Sequence, residues 1–259
     1  MTTEPKPSDA RTIGCMANRF TRVLLVLGCL ALASSVSAAP YGDARFYLYS
    51  NQWAEGDPVI LRLRHDDHNA VKVFSETWDI VDADGAVVAQ FYWTDDERYM
   101  APHQYKTWEW DQRQQCYGAC QNVRQGDPVP PGRYRVVTTV DGKEVSKGFS
   151  IGSYFHLGFD GRPKTDFTVF STQPEVVHQM RAELEKPQEE RQIVAGIVRQ
   201  RKTLYNSAWS FVLDPPSIFL GEVFIEVCDG APRYVERHLK EWRGEQWCPW
   251  SSYVESEGL

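Results

Sequence analysis

From Ala44 to Gly152 the apolar residues recur with period two, and no run with helical spacing interrupts them. "PVILRLR", Pro58 to Arg64, sets Val59, Leu61 and Leu63 against Ile60, Arg62 and Arg64. "YKTWEWDQ", Tyr105 to Gln112, sets Tyr105, Thr107 and Glu109 against Lys106, Trp108 and Trp110. Turn residues punctuate the runs. Asp82-Ala83-Asp84-Gly85 divides Thr77 to Trp93, and Asp141-Gly142 divides Tyr134 to Ile151, so each stretch is expected to be a hairpin. Short strands joined by tight turns bury their apolar faces by pairing into antiparallel sheets that pack together. An antiparallel sandwich is therefore expected over residues 39–152.

The texture changes at Ser153. "YFHLGFDGRPKTD" carries glycines and a proline with no clean period, and residues 153–164 are expected to be a linker. Residues 165–259 mix periods. "DFTVFS", "RQIVAGIVRQ" and "AWSFVLD" read as strands, and "EVFIEVCDG" is a further apolar run. "PEVVHQMRAELE" places Val176, Val177, Met180 and Leu184 on one helical stripe, with Pro174 in the first turn and Thr172 as its cap. "APRYVERHLKEW" places Tyr234, Val235, Leu239 and Trp242 on one helical face, with Asp229 favoured just before it. Strands and two helices in this order predict a small α+β domain. The tail "WCPWSS" holds Trp247 and Trp250 around Cys248, where chain ends usually carry small polar residues. Such a tail is expected to lie docked across the second domain.

The first 38 residues read as an export signal. Arg19 and Arg22 precede the apolar run "VLLVLGCLALA", Val23 to Ala33, and "SSVSAAP" offers small residues for cleavage after Ala38. No later run is long and apolar enough to span a bilayer as a helix. Cleavage would remove Lys6, Arg11, Arg19 and Arg22 against Glu4 and Asp9, leaving the remainder two charges more acidic than the −7 of the whole chain. That balance argues against nucleic acid or an anionic membrane as partner. A periplasmic or secreted location is expected. Cys116, Cys120, Cys228 and Cys248 would survive, and an even count in an exported chain reads as disulfides. The favoured pairing, 116–120 and 228–248, keeps each bridge within one domain. The second closes a loop of about twenty residues, worth roughly 3 kcal/mol in the chain-entropy model.

Two resemblances add to this reading. "WEWDQRQQCYGACQNVRQGDPVPPGRY", Trp108 to Tyr134, resembles the closing half of bacterial immunoglobulin-like domains of the intracellular proteinase inhibitor (BsuPI-like) type. Gly126, Val129, Pro130, Gly132 and Tyr134 carry the match, and "DIVDADGAVV" fits the preceding Asp-Gly hairpin. The C-x3-C insertion departs from that pattern. The resemblance implies an immunoglobulin-like sandwich. "LYNSAWSFVLDPPSI", "IEVCDGAPRYVERHL" and "WCPWSS" resemble the BP-seventy-four N-terminal domain family from about Asp166 to Val254. Tyr205, Asn206, Trp209, Ser210, Phe211, Asp214, Glu226, Cys228, Asp229, Trp247, Cys248 and Trp250 stand at its motif positions, and no catalytic role comes with them. The fold class expected is thus all-β plus α+β: an antiparallel immunoglobulin-like sandwich followed by a small disulfide-tied α+β domain.

Site candidates are few. "GFSIG", Gly148 to Gly152, fits a hydrolase nucleophile pattern, but Ser150 sits late in a hairpin strand, not in a strand-turn-helix. In "RHDDHN", His65 and His68 would face opposite ways on a strand, so a solvated strand end is expected over a metal site. Among Asp214, Glu222, Glu226 and Asp229, Glu226 stands between Ile225 and Val227 and would need a partner if buried. Trp209, Trp247 and Trp250 suit either a sugar-stacking groove or core filler around a disulfide. No metal or cofactor is expected. The chain is expected to be a non-enzymatic binding protein that engages another protein, with protease inhibition through the loop around Tyr117 as its sharpest form. Carbohydrate or envelope-ligand binding through Trp209, Trp247 and Trp250 of the second domain is the alternative, and a hydrolase using Glu226 with a second carboxylate such as Asp214 the third.

Overall fold

In the computed structural model, which describes residues 44–66, 72–117, 120, 123–162 and 165–259, the alternating runs are strands. They are β1 (Ala44–Leu48), β2 (Gln52–Ala54), β3 (Val59–His65), β4 (Lys72–Val81), β5 (Val87–Tyr92), β6 (Tyr99–Met100) and β7 (Tyr105–Trp110). Two longer strands follow, β8 (Gly132–Val140) and β9 (Lys143–Phe159). Both expected hairpins form. β4 and β5 turn at Asp82–Ala86, where Asp82 Oδ1 accepts the amide N–H groups of Asp84 and Ala86 at 3.0 and 2.8 Å. β8 and β9 turn at Asp141 and Gly142, both at positive φ, the conformation that matches a two-residue turn to strand twist.

β1, β3 and β7 make a three-stranded antiparallel sheet. The larger sheet has eight strands and includes β9, β8, β4 and β5 in that order, with β2 joining β9 in parallel. Phe46, Leu61, Leu63 and Trp110 from the small sheet share one core with Phe74, Trp78, Ile80, Val136, Phe149 and Ile151 of the large one. The period-two alternation is what sends these residues to the same side.

The second half begins within β9. After it come β10 (Phe167–Ser171), α1 (Pro174–Leu184), β11 (Ile193–Gln200), β12 (Phe211–Leu213) and β13 (Phe219–Gly221). They are followed by α2 (Pro232–Arg237), α3 (Leu239–Trp242), β14 (Gln246–Trp247) and β15 (Ser252–Glu257). β10 and β15 flank β9, while β12, β13 and β14 all pair with β11. The core here joins Phe155, Leu157 and Phe159 of β9 to Phe167, Val177, Met180, Phe211, Trp247 and Val254.

Three local expectations are corrected. Residues 153–159, read as linker, complete β9 and are nearly all buried. Their glycines answer to close approach and not to flexibility: a Cβ on Gly152 would strike the Ser171 carbonyl, and one on Gly158 the Tyr253 ring. Gln173, not Thr172, is the N-cap of α1, with Pro174 as first helical residue. The second helical run breaks at His238 (φ −115°, ψ 27°) into α2 and α3, so Tyr234 is half exposed while Val235 and Trp242 are buried.

The tail is docked as expected. Cys248 lies at disulfide distance from Cys228, with Cα atoms 5.2 Å apart, and β15 pairs with β9 up to Glu257. Asp229, expected to serve the helix start, instead accepts the Trp250 backbone N–H at 2.9 Å; Ala231 is the N-cap of α2. Arg181 on α1 then bridges the halves. It donates to Glu257 at 2.6 Å, to Glu55 at 2.6 Å and to Ser153 Oγ at 3.0 Å.

Candidate functional site

The first-half candidate is built on the edge of β5. Gln90 N donates to Gln115 O and Gln115 N to Val88 O, so the segment entering the cysteine loop runs alongside this strand. Cys116 and Cys120 then lie at disulfide distance, with Cα atoms 6.1 Å apart. Cys116 N donates to Gln125 Oε1 and Arg124 N to Gln114 Oε1, both at 2.9 Å, which fixes the two limbs of the loop to each other. Tyr117 is 64% exposed and meets Tyr92, 51% exposed, edge to face at 6.0 Å. Two large amphipathic rings therefore stand outward, Tyr117 on the braced turn and Tyr92 at the end of β5. Gly118 and Ala119 of the same loop lie outside the described residues.

A second aromatic surface was missed in the sequence. On the outer face of the three-stranded sheet the Arg62 guanidinium lies 4.9 Å from the Tyr49 ring centre and 4.8 Å from that of Tyr105. Tyr47 beside them donates to Asp66 at 2.8 Å. That hydrogen bond, which holds the proton, raises the phenol above its ordinary pKa. The alternation of "YKTWEWDQ" already placed Tyr105 opposite the buried Trp110; the exposure of a large aromatic on the polar face was the available signal.

The second-half candidates do not come together. Trp247 is fully buried. Its indole N–H donates to Gly230 O at 2.7 Å, and its ring lies edge-on to Phe167 and Phe211. It is core and offers no face to a sugar. Trp250 is 43% exposed. Trp209 is partly buried, donates to Asp166 O at 2.6 Å, and lines a cleft of about 930 Å³ with Arg162, Arg233 and Arg237. Asp214 pairs with Arg199 at 2.8 Å. Glu226 sits exposed on a short 3-10 turn, with Ile225 and Val227 exposed on either side, so the condition under which it would need a partner, burial, does not arise. Within the run Phe224 packs against Ala195, Cys228 and Cys248, while Val223, Ile225 and Val227 stay exposed.

Ser150 lies mid-strand in β9, between β2 and β8, and not at a strand-turn-helix. His65 is buried at the end of β3; Asp67 and His68 lie outside the described residues. Among the described residues no group of three or more His, Cys, Asp or Glu side chains is placed to hold a metal, and no helix is long and apolar enough to cross a membrane.

Residues 153–258 match the family model of the BP-seventy-four N-terminal domain, the resemblance carried by the motifs from Asp166 to Val254. The match opens at Ser153, inside β9. No curated protein matches the chain.

Proposed function

We propose that this is an exported, non-enzymatic binding protein that engages another protein through the braced aromatic loop at Cys116–Cys120, with protease inhibition as the specific form. The observation that carries the reading is the outward Tyr92–Tyr117 pair over a turn closed by a disulfide. Tyrosine gives large contact area at low conformational cost, and a pre-braced loop loses little freedom on docking. An immunoglobulin-like sandwich as its carrier is supported by two β layers over one core, and by the Tyr134 hydroxyl donating back to Pro130 O, as in a tyrosine corner. Export is supported by the N-terminal apolar run and by the two cysteine pairs. The test is titration of oxidised protein against serine, cysteine and metalloproteases. Inhibition near one-to-one, without cleavage and lost in Tyr117→Ala, is expected. Unchanged protease activity across the panel would remove the inhibitory form, and a partner bound equally by Tyr117→Ala would remove the loop.

Glycan binding is kept as a second reading on one observation: Trp209 shares its cleft with Arg162, Arg233 and Arg237. Trp209→Ala should then weaken retention on an acidic polysaccharide. The same variant leaves protease titration unchanged if the first reading holds.

A further inference from the structure

Between the two halves lies another cleft, of about 530 Å³, within the size range of small-ligand sites. Its floor is one face of the large sheet. Arg133 and Arg135 stand two apart on β8 and so point to the same side. Ser150 and Gly148 are their paired neighbours on β9, and Gln52 of β2 pairs with Ser150 from the other edge. The opposite wall comes from the second half: Thr172, Arg201, Asp214 and the Pro215-Pro216 turn.

The charge on this cleft is unlike that of the chain. Three guanidinium groups line it in a protein of net charge −7. Each of its two carboxylates has one oxygen engaged. Asp214 accepts from Arg199 at 2.8 and 3.1 Å, and Asp82 accepts the two turn amides of its hairpin. Arg135 has only a loose, exposed contact with Glu144 at 3.9 Å. The side chains of Arg133 and Arg201 make no hydrogen bond or ion pair with any described residue. Guanidinium forks match planar carboxylates in two-point hydrogen bonds, and amide and hydroxyl side chains suit sugar hydroxyls.

We propose that this cleft binds a small hydroxylated carboxylate, an acidic oligosaccharide of the uronate class, held by Arg133 and Arg135 from one half and Arg201 from the other. Asn51, Gln52, Ser150 and Thr172 supply the polar lining for its hydroxyls. Gly148 keeps the floor open: a Cβ there meets only the Tyr134 carbonyl oxygen at 3.8 Å and Arg135 Cγ at 3.9 Å, so a larger side chain fits and enters the cleft. None of these residues belongs to the Tyr92–Tyr117 surface, and the site stands or falls independently of it.

The experiment is calorimetric titration of the full protein with trigalacturonate, its neutral methyl ester and inorganic sulfate. One-to-one binding of the trisaccharide is expected, weakening as salt rises. Arg133→Ala/Arg201→Ala should lose at least about tenfold in affinity, ~1.4 kcal/mol. Gly148→Leu should block binding by volume while leaving every arginine in place, and Lys240→Ala, on α3 and away from the cleft, should bind as wild type. Absence of trisaccharide binding overturns the proposal. So does affinity unchanged in both the double variant and Gly148→Leu, or equal affinity for the neutral ester or sulfate.

Discussion

Trp247 and Trp250 stand three positions apart in one motif and meet opposite environments. Trp247 is enclosed by Phe159, Phe167 and Phe211, while Trp250 keeps 43% of its surface exposed. Truncating a fully buried tryptophan removes its packing and leaves a void, so Trp247→Ala should cost about 3–5 kcal/mol in chemical denaturation. Trp250→Ala should change stability by about 0.5 kcal/mol, since its anchor to Asp229 is a backbone N–H that the variant retains. Arg181 makes a different kind of prediction. Its hydrogen bonds to Glu257 hold that carboxyl below the usual glutamate range, against the opposing effect of burial. A depressed acid stabilises the fold above its unfolded value, about pH 4.3, and that contribution is lost as pH falls through the lower folded value. Arg181→Ala should thus be less stable than wild type at neutral pH, by about 1 kcal/mol or less given the exposure of the pair. The gap should close below about pH 4.3; a gap that persists unchanged into stronger acid would show that packing, not charge, holds the site.

Among the elements, β9 and the tail decide the second half. The tail is held by the Cys228–Cys248 bridge, by Asp229 accepting Trp250 N, and by β15 lying along β9. With a sequence separation of 20, removal of the bridge in Cys228→Ser/Cys248→Ser should lower unfolding free energy by about 3 kcal/mol in denaturant titration. The Cys116–Cys120 bridge, at a separation of 4, constrains far fewer unfolded conformations, so Cys116→Ser/Cys120→Ser should cost clearly less. The helices were legible in the apolar stripe Val176, Val177 and Met180, all buried. The break at His238 was not, because the sequence there keeps helical spacing through Leu239 and Trp242 and carries no glycine or proline to mark it.

The two halves share a strand. β9 gives Phe149 and Ile151 to the first core and Phe155, Leu157 and Phe159 to the second, and Arg181 ties Glu55 to Glu257 across the same line. Residues 40–259 accordingly cluster as one compact unit. A shared strand passes unfolding of one core directly to the other. Scanning calorimetry should therefore show a single transition with equal calorimetric and van't Hoff enthalpies; two resolved transitions would mean that β9 breaks near Ser153. By itself the sequence determined the alternating strands and turns of the first half and the resemblance of the second, and it favoured the cysteine pairing that the structure places at disulfide distance, because period-two alternation, turn dipeptides and ordered motifs are local signals. Only the tertiary structure decided that Trp247 is core and Glu226 exposed, that Gly152 and Gly158 mark close packing instead of a linker, and that Arg133, Arg135 and Arg201 meet in one cleft. Those outcomes depend on which distant segment lies against each residue, and no local pattern encodes that.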